Sequence, residues 1–243
     1  MTPFATLLYS VQGAVATITL NRPDARNALN GEMCEELRRA AEMAGDDVNI
    51  KLAFVRGNGP VFCAGADVKE RAGMTNDQVR ERRLKAFAAY QALEAIPKPA
   101  VAVVHGAALG SGVEIAAACD FIVATPDAVF GTPEALRGTV GATQRLPRVL
   151  GKRLGKDLMF TGRRLTAVEA QAAGFVARVV QPEKLEHELA NISQAVMVAP
   201  VDAMRLAKQC IDRGIELDPQ GALGLELAAI EEQLATGKGM GKA

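Results

Sequence analysis

Hydrophobic and polar positions change period several times along the chain, and each change marks an element. "TLLYS" and "VATITL" alternate apolar and polar residues around a turn at Gln12-Gly13, which predicts a β-hairpin. "NRPDARNALN" breaks the strand. Asn30 then stands where a helix cap belongs, ahead of Met33, Leu37, Ala40, Ala41 and Ala44 at helical spacing. "IKLAFVRG" is apolar without alternation, as expected of a strand covered on both faces, and "GNGP" turns the chain into "VFCAGADVKE". A polar helical stretch containing "RERRLK" leads through "IPKPAVAVVHG" into a second continuous apolar strand. A loop, a helix within "GSGVEIAAACD" and the strand "FIVAT" come next. "AVFGTPEALRG" reads as a short strand running into a helix start, and "GFVARVV" as one more strand. After Pro182 only helices are predicted, with Leu185, Leu189, Ile192 and Val196 on one stripe. Strands alternating with helices predict an α/β core over residues 1–190 and a helical region over 191–243.

The 243 residues are enough to bury a sizeable core, and 49% of them are hydrophobic, so a globular chain is expected. With 28 basic and 28 acidic residues the formal charge is zero, which argues against nucleic acid or an anionic membrane as partner. Trp is absent, which speaks against a base-stacking surface. Cys34, Cys63, Cys119 and Cys210 are scattered without a C-x-x-C pair and read as small core residues in a reducing compartment, with no metal site. "MTPFATLLYSVQG" lacks the pattern of a signal peptide, and no apolar run approaches the roughly 20 residues of a membrane span. A soluble, cytoplasmic protein is expected. The clusters "RERRLK" and "GKRLGK" read as solvated helix faces.

Candidate chemistry begins at Glu114, an acid inside a small, apolar segment. Ser111-Gly112-Val113-Glu114 fits a capping box, with Ser111 as cap and Glu114 reaching back. Gly112 is a poor helix former at the first helical position, so something other than helix stability selects it. The dinucleotide fingerprint fails, because Ile115 stands where its third glycine belongs. The nucleophile elbow fails too, because Leu109 and Val113 flank Ser111. His105 and His187 are the only imidazole bases available to a Ser111 nucleophile, and neither is tied to it by spacing. In "VFCAGAD", Asp67 is placed to cap the following turn; in "FGTPEALRG", Thr132 is placed as cap with Pro133 in the first turn. Each piece alone has a structural explanation. Together, two small-residue loops that can aim backbone amides, and two glutamates 20 residues apart at separate helix starts, suit enolate stabilisation and proton transfer.

The chain resembles the enoyl-CoA hydratase/isomerase (crotonase) family. The resemblance rests on "LNRPDARNALN", "VFCAGADVKE", "KPAVAVVHGAALGSGVEIAAACDFIVAT", "FGTPEALRGTVGATQRLPRVLG" and "TGRRLTAVEAQAAGFVARVV", in that order. It implies an α/β, crotonase-like ββα spiral with C-terminal helices that drive assembly as a homotrimer or a dimer of trimers. It implies an acyl-CoA substrate, with CoA part of that substrate and no separate cofactor. By match, the Ala66 and Ser111 amides form the oxyanion hole, and Glu114 and Glu134 are the catalytic acids. Ala25 and Arg26 lie near the nucleotide, and Ala64, Asp67, Val68, Lys69 and Gly110 lie along the substrate path. Members that hydrate a trans-2-enoyl-CoA carry both acids, whereas double-bond isomerases commonly keep only the counterpart of Glu134. Hydration is therefore the leading expectation. A Δ3-Δ2 enoyl-CoA isomerase and a catalytically silent acyl-CoA-binding homologue are the alternatives. Three departures stand out. Ser111 replaces a usual glycine. "GTVGATQR" has eight residues where the family usually has eleven. The sequence ends at "GKGMGKA" where members continue toward the CoA, which leaves those contacts weakened or supplied by a neighbouring subunit.

Overall fold

The computed structural model of the protein describes residues 4–235, so "GKGMGKA" lies outside the described residues. β1 (Leu7–Gln12) and β2 (Val15–Leu20) form the expected antiparallel hairpin, with Gly13 at a φ of 58° in its turn. The chain continues through α1 (Gly31–Asp46), β3 (Leu52–Gly57), α2 (Val68–Arg71) and α3 (Asn76–Glu94). β4 (Ala100–Val104), β5 (Ala107–Leu109), α4 (Ser111–Ala117), β6 (Phe121–Ala124) and β7 (Val129–Gly131) follow. Then come α5 (Arg145–Thr161, broken at Gly151), β8 (Leu165–Thr166), α6 (Ala167–Ala172) and β9 (Arg178–Val179). After β9 the described residues are helical: α7 (Pro182–Met197), α8 (Val201–Gly214) and α9 (Pro219–Ala235).

One sheet runs in the order β1-β2-β3-β4-β6-β9, parallel except for the hairpin, and a smaller one runs β5-β7-β8. Its central strands are covered on both faces, which explains their unbroken apolar runs. Ala53, Val55, Ala102 and Val104 join the main core with α1 and α3. Leu52, Phe54, Val101 and Val103 face Leu185, Leu189 and Ile192 of α7. Each Val, Leu, Ile or Phe among them contributes about 1.5–3 kcal/mol when fully buried, so a polar residue on either face would be costly. Asn30 caps α1 as expected, its side chain accepting from the Met33 N–H at 3.0 Å. Three of the four cysteines are buried and all four are free.

The cluster "RERRLK" departs from the expected solvated face. Arg82 points inward, pairs with Glu70 at 2.6 Å and also donates to the Leu29 carbonyl. Burial of that guanidinium is tolerated because carboxylate and carbonyl acceptors meet it. Lys152, Arg153 and Lys156 of "GKRLGK" are exposed.

Candidate active site

The first wall of the site is the segment Cys63–Asp67, held by backbone bridges on both sides, with Gly65 at a φ of 106° between them. Cys63 exchanges backbone hydrogen bonds with β5: its N–H donates to Ala107 at 3.0 Å, and its carbonyl accepts from Leu109 at 2.9 Å. On the other side the Leu29 N–H donates to the Gly65 carbonyl at 2.8 Å, and the Asp67 N–H donates to the Leu29 carbonyl at 2.9 Å. In this parallel bridge Leu29 bonds to both neighbours of Ala66 and to neither group of Ala66 itself. The Ala66 N–H therefore turns away from Leu29, and it meets no backbone acceptor among the turn, loop and cap bonds of the described residues. Asp67 caps α2 as expected, accepting from the Lys69 and Glu70 amides at 3.0 and 3.2 Å.

The second wall is the start of α4. Here the capping box does not form. The helix begins at Ser111 itself, Gly110 occupies the cap position with no side chain to offer, and the Glu114 carboxylate engages elsewhere. The Ser111 N–H, first in the helix, likewise meets no backbone acceptor among the described residues. Ser111 shares the wall of one cavity with the buried Tyr90. Gly112 is selected by packing: a Cβ there would sit 2.4 Å from the Cys63 carbonyl oxygen, so glycine lets α4 close on the Cys63–Asp67 segment. That contact fixes the spacing between the Ala66 and Ser111 amides.

Glu114 is 6% exposed and divided in function between its two oxygens. Oε2 accepts from Arg145 Nη1 at 2.9 Å, whereas Oε1 is buried without a hydrogen-bond partner. Arg145 is fixed in turn by a fork onto Glu94, at 2.6 and 2.7 Å, and by stacking over the Tyr90 ring at 5.3 Å. Burial pushes the Glu114 carboxyl above its ordinary value, and the Arg145 charge opposes that rise.

Glu134 follows β7. Thr132 does not act as a cap: its hydroxyl is buried without a partner, and the short turn Ala135–Arg137 starts after Glu134 itself. Glu134 Oε2 is also buried and unpartnered. Gly110, at a φ of 51°, makes room for this acid, since a Cβ there would lie 2.4 Å from Glu134 Oε1. Burial raises the Glu134 carboxyl above its ordinary value, and the nearby Glu114 charge raises it further. Two acids thus stand with their proton affinities raised and one oxygen each uncommitted.

Two adjoining cavities meet at these groups. A chamber of about 70 Å³ is lined by Ala66, Ser111, Glu114 and Glu134, closed by Tyr90, Phe87 and the loop Thr139–Ala142. An outer cavity of about 350 Å³ is lined by Ala64, Ala66, Val68, Gly110 and Glu134, with Arg71 and Arg137 on its wall. Asp67, Lys69, Ala25 and Arg26 line neither cavity. Arg26 supports the wall instead, its carbonyl accepting from the Ala64 N–H at 3.0 Å. Neither histidine lines a wall, and His105 is engaged with the Gly59 carbonyl at 2.8 Å, so a Ser111 nucleophile has no imidazole base here. Tyr90, Arg71, Arg137 and Arg145 were not singled out by the sequence pattern. Of these only Arg145 carried a signal, as the last residue of the shortened segment "GTVGATQR".

The sequence profile described as enoyl-CoA hydratase/isomerase matches residues 10–240. The chain belongs to the enoyl-CoA hydratase/isomerase family. It is an acyl-CoA enzyme of crotonase type, and its fold is the crotonase fold. Among similar proteins is the bovine mitochondrial "enoyl-CoA hydratase domain-containing protein 2", 39% identical, covering 91% of this chain and 78% of that one. The crystal structure of an enoyl-CoA hydratase from Bacillus anthracis superposes with a TM-score of 0.89 at 35% identity, covering 93% of this chain and 90% of that one. A Thermobifida fusca protein solved in complex with CoA matches with a TM-score of 0.88 at 26% identity, covering 96% of this chain and 94% of that one. Membership in the enoyl-CoA hydratase/isomerase family agrees with a chain in which, among the described residues, no helix is long and apolar enough to cross a membrane.

Proposed function

We propose that the protein hydrates trans-2-enoyl-CoA thioesters. The observation that carries this reading is the pair of buried, unpartnered carboxylate oxygens, Glu114 Oε1 and Glu134 Oε2, on the wall of one chamber beside two unengaged amide donors. An isomerase moves one proton and needs one such acid. A second buried carboxylate costs folding free energy and is retained when water must be activated as well.

In the proposed reaction the thioester oxygen accepts from the Ala66 and Ser111 N–H groups. Glu114, held toward its ionised form by Arg145, takes a proton from water as the water oxygen bonds the β-carbon. The π electrons move toward the thioester and form an enolate, which the two amides stabilise. Glu134, with no cation in hydrogen-bonding contact, holds its proton more readily and delivers it to the α-carbon. One water is consumed and no electrons are lost, so the reading needs no cofactor beyond the CoA that the substrate carries. The outer cavity suits the CoA arm: Arg71 and Arg137 have no ion-pairing carboxylate among the described residues and are available to phosphate oxygens. Asp67 and Arg26 support this wall from behind, through the α2 cap and the Ala64 amide.

Loss of the conjugated enoyl-thioester absorbance on mixing with trans-2-butenoyl-CoA tests the reading. A hydroxyacyl product is expected. Turnover of a 3-enoyl thioester without any hydroxyacyl product would assign isomerisation, and tight binding without turnover would assign a silent homologue.

Arg145 is a positioning residue in this scheme, and its removal has a signed consequence. Its charge lowers the Glu114 pKa, so Arg145→Ala raises that pKa and reduces the ionised base at a given pH. The acidic limb of kcat/KM is expected to move to higher pH, with partial recovery in Arg145→Lys. An unmoved limb with a merely lower plateau would mean that Arg145 only supports folding.

We also propose assembly as a homotrimer or a dimer of trimers, with the cytoplasm as the place of action. Apolar Ile211, Ile215, Leu223 and Leu227 of the α8–α9 region are exposed in the single chain, which supports an interface there. Light scattering on the eluted protein should give three or six times the 25.6 kDa chain mass, and a monomer would refute the assembly.

A further inference from the structure

The two cavities differ in a way that bears on the acyl chain, a question resting on the enoyl-CoA reading above. A thioester whose oxygen meets the Ala66 and Ser111 amides must leave that point in two directions. The CoA arm is long, bulky and anionic, and only the outer cavity of about 350 Å³, with Arg137 on its wall and Arg71 where the two cavities meet, accommodates it. The acyl tail is left with the chamber of about 70 Å³.

That chamber is held on two sides. Its floor is formed by Ala86 and Tyr90 of α3, both packed into the core. Its lid is the loop Thr139–Ala142, part of the segment three residues shorter than the family usually has. Arg83 of α3 staples this lid down, donating from Nη1 to the Val140 carbonyl and from Nη2 to the Thr139 hydroxyl at 3.1 Å. The loop is also close-packed beneath: a Cβ at Gly141 would lie 3.0 Å from Glu134 Cγ. Ala142 sits at a φ of 54°, a left-handed conformation costly for a residue with a side chain, which marks how tightly the short loop is drawn in. A cavity of about 150 Å³ admits benzene, so a chamber of about half that volume holds roughly three carbons beyond the thioester carbonyl.

We infer that the site selects short-chain enoyl thioesters of butenoyl size, and that Arg83, by pinning the Thr139–Ala142 loop onto α3, sets this limit. A longer tail has to break the Arg83 staple before its thioester can reach both amides.

The test is a kcat/KM series on the intact protein with trans-2-butenoyl-CoA and trans-2-decenoyl-CoA. Wild type is expected to favour butenoyl by roughly tenfold or more, against the apolar gain that longer tails ordinarily bring. Arg83→Ala and, separately, Phe87→Ala should narrow that preference severalfold by releasing the lid or widening the wall. Equal or faster turnover of decenoyl-CoA by wild type overturns the inference, as does an unchanged preference in both variants when they fold normally. Calorimetry with saturated butanoyl-CoA and decanoyl-CoA separates this from failure of the hydratase reading. Tighter binding of butanoyl-CoA with no turnover of any enoyl thioester upholds the chamber and rejects hydration. Equal or tighter binding of decanoyl-CoA rejects the chamber.

Discussion

Glu134→Gln is expected to lower kcat for enoyl-CoA hydration by about a thousandfold, with little change in KM, and to leave the protein at least as stable as wild type above neutral pH. The kinetic part follows from the role of the side chain: general acid–base groups contribute about 10²–10⁴-fold, and glutamine keeps the shape while having no proton to give. KM changes little because glutamine fills the same space and leaves the Ala66 and Ser111 amides in place. The stability part follows from the raised pKa of the acid. A carboxyl whose folded pKa lies above its unfolded value favours the folded state when protonated. That contribution is complete below the unfolded pKa and is lost as pH rises through the folded one. As pH rises through that raised folded pKa, wild type comes to carry a half-buried charge with no cation bound to it, and glutamine avoids this penalty. Thermal unfolding of both proteins across acidic and alkaline buffers checks the sign: the variant should gain on wild type as pH rises. Glu114→Gln should lose activity comparably but gain less stability, because it also strips a carboxylate from Arg145. A Glu134→Gln enzyme within threefold of wild-type kcat, correctly folded, would remove Glu134 from the chemistry.

Gly112→Ala should lower both activity and stability, although it removes neither acid. Its methyl would lie 2.4 Å from the Cys63 carbonyl oxygen and 3.0 Å from Cys63 Cβ, contacts that backbone on both sides holds rigid. Cys63 is pinned by two hydrogen bonds to β5, so relief requires α4 to move as a unit. Overpacking of this kind costs about 1–3 kcal/mol. The same displacement separates the Ser111 amide from the Ala66 amide. Loss of one oxyanion donor costs about 10²–10³ in kcat, and a fall of that size is expected together with a lower Tm. A full activity loss with unchanged Tm would point instead to direct obstruction of the chamber, and unchanged activity would show that the α4 contact does not set the amide spacing.

Much of this was legible along the chain, because strand and helix periods are local. The alternation in "VATITL", the unbroken apolar runs of β3 and β4, and the Asn30 cap of α1 each need only neighbours within a few residues. The two acids and two small-residue loops were legible through the order of the motifs. What local pattern misled on was the purpose of capping-type residues. Ser111 and Thr132 occupy sequence contexts that suit helix caps, yet the helix that follows Ser111 starts on it, and Thr132 is followed only by a short turn. The charges were the other blind spot. Arg82 meets Glu70 and Leu29, and Arg145 meets Glu114 and Glu94, partners 31 and 51 residues away in the second case. No local period encodes such pairs, so the clamp that divides the two oxygens of Glu114 emerges only in three dimensions.

The most direct test of the enoyl-CoA hydration reading is the fate of oxygen. Trans-2-butenoyl-CoA is incubated with the protein in water enriched in heavy oxygen, and the thioester products are weighed by mass spectrometry. The two-carboxylate site predicts a 3-hydroxyacyl-CoA carrying one heavy oxygen on the β-carbon, formed at a rate that collapses in Glu114→Gln and Glu134→Gln. A thioester recovered with its double bond moved or unchanged, and no heavy oxygen taken up, would contradict it.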